Sequence, residues 1–138
     1  MIPRVNLITL AVADVAVSRA FYERLGWKAG AASNLYVAFF DLNGVILSLY
    51  GKEALASDTG VADAKPGAVT MAINLESKEA VDIAMAEAEE AGAAILTPAH
   101  ETPWGGYVGY FADPDGHPWE MACVPMFPFD KDGRLVLA

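Results

Sequence analysis

Trp104–Cys123, WGGYVGYFADPDGHPWEMAC, reads as a strand, a tight turn and a second strand, and Tyr36–Tyr50, YVAFFDLNGVILSLY, repeats that plan. In the later stretch Asp113-Pro114-Asp115-Gly116 supplies the turn, with proline presetting φ and glycine taking the left-handed position. In the earlier one Asn43-Gly44 offers the positive φ a short hairpin requires. The segments ahead of them also match. Ile8–Val12 corresponds to Val69–Ile73, and each is followed by a helical pattern and a glycine. The chain therefore reads as two copies of one β-α-β-β-β module, each too small to bury its apolar face alone.

Around these hairpins the remaining elements follow from periodicity. Strand one spans about Val5 to Val12, with Ile8, Leu10 and Val12 on one face and Leu7, Thr9 and Ala11 on the other. Asp14 caps a helix through Leu25 whose inward stripe reads Val17, Ala20, Phe21 and Leu25, and Gly26 ends it. Strands are expected near Lys28–Ala31, Leu35–Asp41 and Val45–Tyr50. Residues 53–66 lose strand periodicity and read as a linker between module one (about 4–52) and module two (about 67–124). Module two opens with a strand near Gly67–Asn74. Ser77 then caps a helix with Val81, Met85 and Ala88 inward, and strands follow near Ala94–Pro98, Tyr107–Phe111 and Pro118–Val124. The tail, 125–138, carries Phe127, Phe129, Leu135 and Leu137 and is expected to pack over a cavity mouth or a partner subunit.

Composition sets the function classes. The chain has 138 residues, one domain's length, and is 54% hydrophobic. No apolar run approaches the ~20 residues a membrane span needs, and the N-terminus lacks the layout of a signal peptide, so no membrane association and a cytoplasmic location are expected. A net charge of −9 argues against nucleic acid as a partner. High apolar content on an acidic chain points to a covered face and hence a homodimer. Cys123, the single cysteine, reads as a buried apolar residue of the last strand.

The order β-α-β-β-β twice over, with FYERLGW closing the first helix and YFADPDGHPWEM forming the last hairpin, resembles the vicinal oxygen chelate superfamily over about residues 4–124. That group takes in glyoxalase I, extradiol dioxygenases, fosfomycin-resistance enzymes and metal-free bleomycin-resistance proteins. The resemblance implies an α+β fold in which two tandem βαβββ modules form curved mixed sheets around a U-shaped cavity. It also implies metal-ligand positions on the first and last strands of each module, which fall on Leu7 and Ala68, and on Ser48 and Glu120. Only Glu120 can serve as a ligand, whereas a catalytic divalent metal wants about three.

The leading expectation is therefore a protein without a metal cofactor that binds and sequesters a small, partly apolar organic molecule. Alternation along Pro118, Glu120 and Ala122 directs Glu120 to the cavity face, where Thr9, Ser48, Tyr50 and Thr70 are its expected polar neighbours. Trp104, beside Gly105 and Gly106, offers a flat wall with room for a ligand. His100, read as sitting in an irregular loop, is a ligand-contacting or catalytic candidate, and His117 belongs to the turn. One alternative is a metal-dependent lyase, isomerase or dioxygenase resembling glyoxalase I, using a divalent metal at Glu120 with His100 and Glu101 recruited nearby. Another is a non-catalytic interaction module.

Overall fold

In the computed structural model of the chain, which describes residues 1–137, the elements run β1 (Leu7–Val12), α1 (Val15–Arg24), β2 (Val37–Asp41), β3 (Ile46–Gly51), α2 (Lys52–Thr59), β4 (Met71–Asn74), α3 (Lys78–Glu90), β5 (Ala94–Glu101), β6 (Tyr107–Ala112) and β7 (Pro118–Cys123). This is an α+β architecture with two open mixed sheets, ordered β1-β3-β2 and β4-β7-β6-β5. In each, the module's first strand pairs parallel with its last and the other neighbours are antiparallel. The chain divides into two compact units, Met1–Ala68 with Asp113–His117, and Val69–Ala112 with the residues from Pro118 onward.

In the first unit the Asp14 carboxylate accepts from the Val17 amide at 3.1 Å and starts α1. The helix is rotated from the expected stripe: Ser18, Phe21 and Tyr22 are buried, while Val17 is 54% exposed. Ser18 is small enough to lie against the sheet, and Tyr22 stacks on Trp27 with centroids 5.3 Å apart. Beneath them lie Ala38, Phe40, Leu47 and Leu49, all buried, each large apolar side chain worth about 1.5–3 kcal/mol. The strand expected at Lys28–Ala31 shrinks to one bridge between Ala29 and Phe40. Side chains take its place at the β2 edge: Ser33 Oγ accepts from the Phe39 amide, and Asn34 Oδ1 from those of Tyr36 and Val37.

The expected linker also differs, because it contains α2. KEALASDT is a run of good helix formers, but at eight residues it is too short to show an apolar stripe. It begins on Gly51 without a side-chain cap and ends at the left-handed Gly60.

The turn at 113–117 is organised by Asp113, a carboxylate only 4% exposed. Its Oδ1 accepts from the amides of Asp115 (3.0 Å) and His117 (2.8 Å), and its Oδ2 from the Tyr22 hydroxyl at 2.7 Å. Asp115 accepts from the Ala13 amide, and His117 Nε2 donates to the Ala11 carbonyl at 2.7 Å. His117 is thus a turn residue, as the sequence suggested. Gly116 has φ +87°, a conformation that penalises any side chain.

In the second unit Ser77 Oγ accepts from the Ala80 amide, and α3 buries Val81, Met85 and Ala88 as its spacing predicts. The helix packs on β5, β6 and β7. β5 runs on to Glu101, beyond the expected end at Pro98, so His100 lies on a strand opposite Val108 rather than in an irregular loop. β5 is an edge strand, and register shifts flanking Thr97 absorb the proline. β4 begins only at Met71, which leaves Thr70 outside the strand and exposed. In the tail Phe129 bridges Leu135 around Asp130, whose carboxylate accepts from the amides of Asp132 and Arg134; Ala138 lies outside the described residues. No helix among the described residues is long and apolar enough to cross a membrane.

The Asp113 hub generates a stability prediction. Tyr22→Phe removes one donor from a buried carboxylate and should cost about 1–2 kcal/mol, whereas Asp113→Ala strands a buried phenol and two turn amides and should cost about 2–4 kcal/mol. Urea denaturation of the three proteins checks this, and equal midpoints for wild type and Asp113→Ala would remove the hub from the account.

Candidate functional site

Each sheet has one face packed under a helix, and the strand register decides which residues share the opposite one. In the three-stranded sheet Thr9 pairs with Ser48 and Ser48 with Phe39, so these three lie side by side. Tyr50 lies two residues further along the same face, paired with Ala11 and Val37. Ser48 is buried; Leu7, at the start of the face, is 43% exposed.

α2 packs against β1 and β3 and covers the Ala11–Tyr50 end of this face. The negative charge of Asp58 on α2, with burial and a hydrogen bond to the same carboxylate, holds the Tyr50 phenol above its ordinary range. A cleft of about 710 Å³ opens here, lined by Ala11, Lys52, Leu55, Ala56, Val61 and Lys65 among others. Strand periodicity was silent on this cleft, because its walls come from the segment read as a linker.

In the four-stranded sheet Glu120 pairs with Ala72 on one side and Tyr110 on the other, and Tyr110 pairs in turn with Thr97. The Tyr110 hydroxyl donates to Glu120 Oε2 at 2.5 Å. That bond, with burial and the carboxylate's charge, pushes the phenol up to about 12. Val108, Ala112 and Ala122 share the parity of this face and are buried. The opposite face carries Phe111, Trp119, Met121 and Cys123 toward α3.

Glu120's hydrogen-bond partner is therefore Tyr110, which was absent from the expected set of Thr9, Ser48, Tyr50 and Thr70. Counting outward from the 113–117 turn pairs position 110 with 120 and would have found it. Among the expected neighbours, Thr70 is not on a strand, and Thr9, Ser48 and Tyr50 belong to the other unit. His100, exposed, lies opposite Val108, two residues along β6 from Tyr110, and its Nδ1 meets the Pro98 carbonyl at 3.0 Å.

Trp104 is 53% exposed, but the space its glycines leave is already filled. A Cβ added at Gly106 would overlap the Trp104 ring, so the indole lies on the Gly106 backbone. Thr102 closes the loop: its Oγ1 accepts from the Gly106 amide at 2.9 Å, and its amide donates to the Gly106 carbonyl at 2.8 Å.

The donor set at the superfamily's ligand positions does not suit a metal. Leu7 and Ala68 have no side-chain donor atom, Ser48 offers a neutral hydroxyl, and only Glu120 is anionic; Ala68 in fact precedes β4, and the strand register makes Thr70, another neutral hydroxyl, the counterpart of Leu7. The displaced set of His100, Glu101 and Glu120 does not converge either. Glu101 pairs with Tyr107 and forms an ion pair with Lys78, on the face opposite His100. Among the described residues no three His, Cys, Asp or Glu side chains come together to hold a metal ion.

Comparison with known proteins accords with this geometry. A glyoxalase-related enzyme from Fulvimarina pelagi is 37% identical, with 99% of each chain covered and a TM-score of 0.91. A glyoxalase/bleomycin resistance protein/dioxygenase from Nocardioides is 28% identical over 89% of this chain and 84% of its own, with a TM-score of 0.74. Lactoylglutathione lyase from Agrobacterium tumefaciens, 21% identical with 87% and 92% covered and a TM-score of 0.66, shares the fold. No curated protein matches the chain. Residues 4–121 match the Glyoxalase/Bleomycin resistance protein/Dioxygenase superfamily, and the chain belongs to it.

Proposed function

We propose that this chain binds and sequesters a small, partly apolar organic molecule beside the Tyr110–Glu120 pair of its four-stranded sheet, without a metal cofactor, in the manner of the bleomycin-resistance branch. The Tyr110–Glu120 pair carries this reading: a carboxylate and its donor stand on a face otherwise built from Val108, Ala112 and Ala122. Apolar walls with a few placed polar groups are the usual make-up of small-molecule sites. The Leu7, Ser48, Ala68 and Glu120 set favours binding over metal chemistry.

A second reading, an enzyme related to glyoxalase I, draws on the name of the 37%-identical relative and on the hydrogen-bonded pair, which has the groups for a proton transfer. Elemental analysis of purified protein before and after incubation with nickel, zinc, manganese or iron, followed by desalting, separates the two. The binding reading expects no stoichiometric retention. Near-stoichiometric metal that is lost in Glu120→Gln would overturn it in favour of the enzyme.

The same pair sets an alkaline dependence. Tyr50, Tyr107 and Tyr110, three of five tyrosines, are held above the ordinary value of 10.0, chiefly by Asp58, by a hydrogen bond to Asp82 and by one to Glu120 respectively. Folding favours their neutral forms, so the associated stability is complete below pH 10.0 and is lost as pH rises toward the about 12 of Tyr110. Ultraviolet titration of tyrosinate should show this late phase, with Glu120→Gln returning one tyrosine toward 10.0. An unchanged curve in that variant would dissolve the pair.

We further read the chain as a cytoplasmic homodimer. Leu35, Tyr36, Val69, Ile83 and Leu96 are all more than half exposed in the single chain, more apolar surface than an acidic monomer needs. Light scattering should give twice the 14.6 kDa chain mass, and a monomer at all concentrations counts against the dimer.

A further inference from the structure

Helix α2 is held differently from α1 and α3. The latter two bury Ser18, Phe21 and Tyr22, and Val81, Met85 and Ala88, but no residue of α2 is buried, and only Leu55 and Ala56 are half-buried. Its eight residues are fewer than the roughly 12–15 below which an isolated helix is marginal in water. No side chain caps its N-terminus. At its C-terminus Thr59 Oγ1 donates to the Leu55 carbonyl at 2.9 Å and accepts from the Val61 amide at 3.2 Å, bonds that close the helix on itself rather than onto the sheet.

A side-chain bond ties α2 down: the Tyr50 phenol on β3 donates to the carboxylate of Asp58 on the helix. Both ends of α2 are glycines, Gly51 at φ −55° and Gly60 at a left-handed φ of +76°. A Cβ at either would meet nothing within 4 Å, so neither end is gripped by its surroundings. Past Gly60, residues 61–70 form neither helix nor strand. An element with little buried apolar surface, free ends and a side-chain tether belongs to the low-stability end of a fold and opens as a unit.

We propose that α2 is a lid over the Ala11–Tyr50 end of the three-stranded sheet, hinged at Gly51 and Gly60 and latched by the Tyr50–Asp58 hydrogen bond. Closed, it supplies one wall of the cleft of about 710 Å³, with Lys52, Leu55, Ala56 and Thr59 set against Ala11 and Val61. Open, it gives solvent and solutes a path to Ala11 and Tyr50 and, two residues along the same face, to buried Ser48. The latch tyrosine belongs to the sheet and its acceptor to the lid, so breaking that bond parts them without disturbing the buried Leu10, Val12, Leu47 and Leu49 of the opposite face. The inference goes beyond the binding function proposed above and holds whichever molecule the chain binds.

Hydrogen exchange of the full chain, followed by NMR, tests this at the amides of Ala56 to Gly60, with those of β1 and β3 reporting that each variant is folded. In wild type the α2 amides are expected to exchange faster than those of β1 and β3 but slower than an unstructured peptide. Tyr50→Phe should speed them about two- to tenfold, the worth of one hydrogen bond, and leave β1 and β3 unchanged. The same change made on Asp58→Ala, which lacks the acceptor, should add nothing. Gly51→Ala, at a φ of −55° that any residue accepts, should slow opening about two- to fivefold by restricting the open state. Exchange of α2 in step with β1 and β3, or at the unstructured rate, would overturn the lid. A Tyr50→Phe effect of equal size with and without Asp58 would overturn the latch, and equal rates in wild type and Gly51→Ala would overturn the hinge.

Discussion

Asp113 is the group on which the placement of the candidate site depends. A carboxylate 4% exposed would be expelled from the fold unless its lone pairs were occupied, and here the Tyr22 hydroxyl and the amides of Asp115 and His117 occupy them. Those bonds fix the path of residues 113–117, and the chain leaves them directly into β7. Because side chains alternate along a strand, the residue at which β7 starts decides whether Glu120 faces α3 or the opposite side of the sheet. A slip of one residue at the turn would bury that carboxylate among Trp119, Met121 and the α3 stripe, at a cost no partner there could offset.

The two modules solve the same problem with different chemistry. In the first hairpin the Leu42 amide donates to the Val45 carbonyl; in the second the Asp113 amide donates to the His117 carbonyl, one residue more in the turn. Three residues after Val45 and three after His117 stand Ser48 and Glu120, on the middle strands β3 and β7 of identically ordered halves. The ladder then pairs Ser48 with Thr9 but Glu120 with Ala72. Aligning Ile8–Val12 on Val69–Ile73 by sequence sets Thr9 against Thr70, two positions from the ladder's equivalence with Ala72. A hydroxyl opposite a hydroxyl can be satisfied locally, whereas Glu120 opposite an alanine looks across the other edge, to Tyr110.

What the sequence made legible were features governed by local rules. Ser77 with Val81, Met85 and Ala88 is a cap followed by a 3.6-residue stripe, and the structure keeps it unchanged. The DPDG and Asn-Gly turns are legible because their φ angles admit few residues, as with Asn43 at +60° and Gly116 at +87°. The stripe of α1 misled because Ser18 and Tyr22, polar by composition, face inward, one by virtue of its small size and the other because its hydroxyl reaches Asp113. Likewise α2 was hidden by its brevity. The edge strand at 28–31 was lost to Ser33 and Asn34, whose side chains satisfy the β2 amides in its place. The site followed the same division: the direction of Glu120 was readable from alternation, but its partner required cross-strand register.

That partner sets the surroundings of the carboxylate. Had Lys or Arg stood at position 72 or 110, Glu120 would belong to an internal ion pair. A tyrosine at 110 gives a different balance, because a phenol donates a bond without cancelling charge. The 2.5 Å contact orients the carboxylate and, with burial and the carboxylate's charge, pushes the phenol up to about 12. At the ligand positions the resemblance implies, Leu7 and Ala68 have no side-chain donor atom, so the Tyr110 hydrogen bond is what steadies the carboxylate.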